Sequence, residues 1–215
     1  DRIEVSEQLK RYRETFPNVI LTNFYEFRLY RNGELMKQVK IARPELAIKL
    51  NTTPPVENEA DFFDLLDIFF SFSLPNVRNA QSLAMELAKR TRFLRDEVVS
   101  IELAEEEKRG QKAILGFYEA FRKYLIGTLT KEAFADLYSQ TLTYGLFAAR
   151  TRSDNSFNRE LAFKYIPNTI GILRDVFRFI SLEEPPKSLQ IIVDDIAEVL
   201  SVTDVKSILE DYFEE

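Results

Sequence analysis

Two kinds of side chain in this sequence are of the right type and spacing to do chemistry. The first is the adjacent carboxylate pair Asp194-Asp195 inside the apolar run IIVDDIAEVL. Two carboxylates can hold a divalent cation. Neighbouring helical residues, however, point about 100° apart, so the pair reads better as a solvated face or as partners for arginine. The second kind is a set of cation clusters. Lys10, Arg11 and Arg13 lie in the first stretch, and Arg28 and Arg31, with Lys37, Lys40 and Arg43, lie in the next. Lys89, Arg90, Arg92 and Arg95 fall within two helical turns, and Arg150 and Arg152 close a later segment. Each is a candidate contact for the DNA backbone phosphates, and each is equally an ordinary surface cation or a partner for one of the many glutamates. Gln8 and Tyr12, at i and i+4, share a helix face, a spacing that chance produces often.

Composition removes much other chemistry. The chain of 215 residues contains no Cys and no His. Thiol catalysis, disulfides, Cys-ligated zinc and Ser-His-Asp hydrolysis are therefore excluded. Any catalysis would fall to carboxylates, Lys or Tyr. With only 6 Gly, no G-x-G-x-x-G or G-x-x-x-x-G-K phosphate loop can be placed. A net charge of −6 argues against a basic footprint over the whole surface, though a local stripe remains compatible with it. Hydrophobic residues make up 45%, with 18 Phe and 9 Tyr, ample for a core. No apolar run approaches a membrane span and no secretory signal opens the sequence, so the expected location is cytoplasmic, with no membrane partner. Because the first residue is Asp1, the chain is expected to be a piece of something longer.

The elements that must position these groups follow from periodicity. Residues 1–15 read as a charged amphipathic helix stopped by Pro17. NVILTN and EFRLYR then read as strands, and Asn32-Gly33 is a strong hairpin signal before the return strand ELMKQVKIA. Residues 44–57, with Pro44, Pro54 and Pro55, read as a linker. From residue 58 onward the pattern is helical. The segment Glu59–Phe72 is so apolar that near-complete enclosure is expected. A long helix runs from Asn79 to about Glu107 until Gly110, and another from Gln111 to Ile126 with Gly127 as C-cap. The clearest pattern is Lys131–Arg150, capped by Thr130, with apolar residues at three- and four-residue steps and small residues Gly145, Ala148 and Ala149 for close helix approach. Residues 151–157 read as a polar loop. Helices over 158–165, 169–180 (capped by Asn168), 187–200 (Pro186 at its start) and 204–213 complete the chain. The expected fold is mainly α: a multi-helix bundle over 58–215 with an N-terminal helix and β-hairpin appendage over 1–43.

Three stretches carry a resemblance. SEQLKRYRETFPNVILTNFYEFRLYRNGEL resembles the segment closing the PD-(D/E)xK nuclease domain of single-chain restriction-modification enzymes, the type ISP and related type IIG/IIL proteins. FADLYSQTLTYGLFAAR and IIVDDIAEVL resemble the helical segment that in those enzymes joins the nuclease to the N6-adenine DNA methyltransferase domain. Gln8 and Tyr12 match the family's nuclease Gln-x-x-x-Tyr helix. The Glu-x-Lys strand that would bind Mg²⁺ and activate water is not present, since Glu4-Val5-Ser6 lacks the Lys. The resemblance implies a nuclease remnant over 1–43 and a non-catalytic coupler over 58–215 with no cofactor of its own. S-adenosylmethionine and Mg²⁺ would belong to the parent enzyme, the partners would be the flanking nuclease and methyltransferase domains, and double-stranded DNA would be a further contact. The residues alone also admit a different class, a stand-alone helical module that binds a protein partner through the Phe-rich segment 59–72.

Overall fold

Asn32 and Gly33 both adopt positive φ, 50° and 82°, the mirror-image turn that matches the right-handed twist of two antiparallel strands. Around that turn the chain builds the first of two compact units, which divide after residue 75. The computed structural model describes residues 6–43, 54–74, 77–153, 156–167 and 171–214, with side chains through 212. Among the described residues no helix is long and apolar enough to cross a membrane.

In the first unit, α1 (Glu7–Thr15) starts where the Ser6 hydroxyl accepts from the Leu9 N–H. Strands β1 (Asn18–Thr22), β2 (Glu26–Arg31) and β3 (Glu34–Lys40) form an antiparallel sheet in that order. The β2–β3 register slips between Leu29 and Tyr30: Tyr30 faces Leu35 while Leu29 faces Lys37. This bulge breaks strict alternation, and both Leu29 and Tyr30 are buried. Helix α2 (Glu59–Phe70) lies on the sheet, with Leu65 packed against Leu29 and Val39 and flanked by Ile20, Phe27, Phe62, Leu66 and Phe69.

Two sequence expectations are corrected here. The unit boundary lies after residue 75 rather than within 44–57, because α2 needs the sheet to bury its apolar face; residues 58–75 therefore belong with the sheet and not with a helical domain over 58–215. Of the expected linker, 44–53 lie outside the described residues. Nor is α2 enclosed. A single sheet covers one side, Leu65 alone is fully buried, and Phe63 and Phe70 are 55% and 75% exposed.

The second unit is helical throughout. Helix α3 (Ala80–Phe93) is capped by Asn79, whose side chain accepts from Ser82 N. It continues through a π-helical segment, Leu94–Val99, into α4 (Ser100–Arg109), which Gly110 ends at φ 68°. The long helix expected over 79–107 is thus one rod with a wide turn inside it. That turn keeps Leu94, Val98 and Val99 all buried. Helix α5 (Ile114–Tyr124) has no local cap. Buried Glu106 reaches across from α4, its carboxylate accepting from Ile114 N at 3.1 Å and Leu115 N at 2.8 Å. The helix ends at Leu125, and Gly127 lacks the positive φ that the expected C-cap requires.

Helix α6 (Lys131–Arg152), capped by Thr130, is the axis. It packs against α3, the π segment, α4, α7 (Arg159–Ala162, continued by a 3₁₀ turn to Tyr165), α8 (Gly171–Leu182), α9 (Lys187–Ser201) and α10 (Val205–Glu214). The helix runs through Arg152, so the expected loop over 151–157 begins later, and Ser153 and Phe157 within it are buried. A Cβ at Gly145 would overlap the Phe177 ring of α8, so glycine is what allows these helices their close approach. Phe134 and Tyr138 stack into an aromatic row with Tyr118, Phe121, Phe117 and Phe179. The expected cap Asn168 lies outside the described residues. The fold is mainly α, with a three-stranded antiparallel sheet and an N-terminal helix as the appendage.

Candidate functional site

The cations singled out in the sequence separate once each is placed. Arg90 is fully buried. Its Nε donates to Asp195 Oδ2 at 2.5 Å, and its Nη1 to Glu86 Oε2 at 2.6 Å and to the Glu86 carbonyl. It crosses from α3 to α9 and cannot meet a phosphate, which corrects its assignment as a DNA contact. A fully enclosed guanidinium persists only when carboxylates face it. Burial raises the Asp195 carboxyl above its ordinary range, against the pull of Arg90. Burial pushes Glu86 the same way, but donors from Lys89 and Arg90 outweigh it and hold its carboxyl below the usual value.

Arg150 is likewise structural, not a free cation. Its Nε donates to the Leu200 carbonyl at 2.9 Å, Nη2 to Thr203 O and Nη1 to Ser153 Oγ at 3.0 Å. These bonds satisfy carbonyls at the C-terminal end of α9 that helical geometry leaves without donors. Arg13 donates to the Gly33 carbonyl and lies 4.4 Å from the Tyr30 ring, tying α1 to the hairpin turn. Arg31 Nη2 donates to Ile68 O at 2.9 Å, which with Asn18 Nδ2 to Phe69 O caps the end of α2. Arg28 pairs with Glu26 and Lys89 with Glu86. Arg152 is exposed and reaches Tyr165 O. Lys10, Arg11 and Arg92 are exposed. Gln8 and Tyr12 sit on the outer side of α1, with Tyr12 beside Phe16.

The Asp194-Asp195 pair diverges as helical geometry requires. Asp195 meets Arg90, while Asp194 accepts from Arg159 Nε at 2.8 Å. Arg159 also donates to Ile180 O, so it ties α7 to both α8 and α9. Sequence reading passed over this residue, because it stands outside every cluster. Among the described residues no group of three or more acidic side chains converges as a metal site would.

What sequence reading missed is a groove in the helical unit of about 530 Å³. One wall is α3, presenting Ala80, Ala84 and Ala88 over Leu83 and Leu87; the other is α6, presenting Thr143, Tyr144 and Phe147. Ile208 and Leu209 of α10 close one side. The floor is apolar and the polar groups are few. Thr143 donates to Thr91 Oγ1 (2.8 Å), which itself donates to Leu87 O. At the rim Arg95 binds Asp96 at 2.7 Å and Asp136 at 3.2 Å, while Gln140 donates to Asp136. The bond to Asp96 and then that to Asp136 raise the Arg95 pKa above its already high ordinary value. Arg92 also lines the groove, and among the described residues it has no hydrogen bond or ion pair. The small residues at steps of four on α3 were the available signal. A concave apolar surface with a few convergent polar groups is the usual form of a binding site. Comparison with protein-family models, curated proteins and solved structures yields no match to this chain.

Proposed function

We propose that the chain is a non-catalytic coupler of a restriction-modification polypeptide, in which the helical unit acts as a stiff spacer between a nuclease and an N6-adenine DNA methyltransferase domain. The sequence resemblance suggests the role, and one structural observation supports it. Arginines that sequence alone offers to DNA are used to cross-link helices: Arg90 joins α3 to α9, and Arg150 joins α6 to the end of α9. A body tied in this way transmits orientation, whereas a flexible linker does not. DNA contact, in this reading, falls to the exposed Lys10, Arg11 and Arg92.

Sequencing the coding DNA on both sides of this segment tests the proposal. A Glu-x-Lys strand upstream and an Asn-Pro-Pro-Tyr-like motif downstream are expected; a start codon just before Asp1 and a stop just after Glu215 would sink it. A second reading, a helical module that binds a protein partner, is favoured by the exposed Phe63 and Phe70. Light scattering separates the two, since the coupler should be monodisperse and a sticky aromatic face should self-associate.

A further inference from the structure

The three-stranded sheet has two edges, and they differ. The outer strand β3 carries Glu34, Lys37 and Lys40, and Met36 is the extra residue of its bulge. Charges and bulges of this kind keep an edge from pairing further. The other edge, β1, reads Asn-Val-Ile-Leu-Thr, with no charge, no Pro, no Gly and no bulge.

The ladder fixes which groups that edge presents. Pro17 O accepts from Asn32 N, and Asn23 N donates to Glu26 O. Bonded pairs alternate along an antiparallel ladder, so Val19 and Leu21 bond to β2. The N–H and C=O of Asn18, Ile20 and Thr22 point the other way. Among the described residues no strand pairs with these groups, and none of them has a hydrogen-bond partner. A row of free donors and acceptors at this spacing is matched by another extended backbone.

The sequence of β1 suits its own copy. Placed antiparallel about Ile20, two β1 strands set Asn18 opposite Thr22, Val19 opposite Leu21 and Ile20 opposite Ile20. Polar residues then meet at the ends, apolar ones in the middle, and no like charges face each other. All the free groups pair at once, in about six backbone hydrogen bonds. Phe24, 80% exposed and held at φ 68° just past one end of β1, is thereby brought to the end where Pro17 stands in the other copy.

We infer that the chain forms a two-fold dimer through β1, joining two three-stranded sheets into one of six strands. The inference is independent of the coupler role: a closed dimer is monodisperse, and the flanking coding DNA decides that role either way.

The experiment is sedimentation equilibrium of the full chain over about 5–500 µM, where an interface of one strand pair should dissociate. Amide exchange is measured at both ends of that range. Monomer should pass into dimer and no further. The amides of Asn18, Ile20 and Thr22 should exchange freely in the dilute sample and about tenfold more slowly in the concentrated one. Those of Val19 and Leu21, bonded to β2, should stay protected in both. Thr22→Pro removes an outward donor without breaking a bond to β2. Circular dichroism should therefore remain that of the wild type while the dimer weakens about tenfold. A chain that stays monomeric overturns the inference, as does a dimer that leaves the alternate amides open or ignores Thr22→Pro. Protection of the same amides at every concentration overturns it too, for then another segment of the chain covers β1.

Discussion

Helices α2 and α6 show how little composition says about burial. α2 carries four phenylalanines in twelve residues, yet Leu65 is its one fully buried side chain and Phe70 stands largely in solvent. α6 is far more mixed, yet it buries Phe134, Tyr138, Leu142 and Leu146, together with Ser139 and Thr143. The difference lies in the neighbours. α2 has one sheet to lie on, whereas α6 has helices around it on several sides. Arginine follows the same rule. Arg31, beside α2, keeps partial exposure while capping a helix end, whereas Arg90, beside α6 and α9, is wholly enclosed and has to be neutralised by Asp195 and Glu86.

The largest expected effect sharpens that contrast. Arg90→Ala strands the half-buried Asp195 and should cost about 3–5 kcal/mol, read by urea unfolding. The double replacement Arg90→Met with Asp195→Leu should recover most of the loss, because it removes the enclosed guanidinium together with its partner charge. A mild Arg90→Ala would mean that the triad is solvated after all, and the contrast with Arg31 would disappear.

Core truncation compares the two helices directly. Phe134→Ala should cost about 3–5 kcal/mol, while Phe70→Ala should stay within about 0.5 kcal/mol. Thermal melts of the two variants check this, and a large loss for Phe70→Ala would show that something covers α2. Gly145→Ala comes next. Its new methyl meets the Phe177 ring, and overpacking of this kind costs about 1–3 kcal/mol. Hydrogen exchange should place the loosening in α6 and α8.

The smallest effect is the response to acid. Glu86 has a folded pKa below its ordinary 4.5, so its contribution is fully present above that pH and is lost as pH falls through the folded value. The raised pKa of Asp195 acts in the opposite sense, since the folded state there binds its proton first. Stability of the helical unit should therefore fall only gently below pH 4.5, and Glu86→Gln should flatten or reverse that slope. A slope unchanged in Glu86→Gln assigns the acid response elsewhere.

Local signals were legible wherever they acted over a few residues. Asn79, Thr130 and Asn158 each cap a helix through their own side chain at or beside the start the sequence indicates. Asn32-Gly33 makes its hairpin turn and Gly110 its left-handed stop. The central role of α6 was also readable, because its apolar residues repeat with the helical period over about four turns, from Phe134 to Ala149. The cap of α5 was not, since its acceptor is Glu106 on the previous helix. The candidate site was the least legible part. Its walls come from α3, α6 and α10, and nothing in any one of these stretches says that the three will meet.

Arg90 and Arg92 mark the limit. In sequence they are two members of one cluster, with the same charge and reach. Sequence by itself determined the helix that carries them, its start at Asn79 and the angular separation of the two side chains. Tertiary structure alone decided that α9 arrives on one side to bury Arg90 against Asp195, while the other side stays open and leaves Arg92 at the mouth of a groove. Helix periodicity is set by backbone geometry within a turn. Burial is set by which distant segment packs there, and that depends on the whole chain.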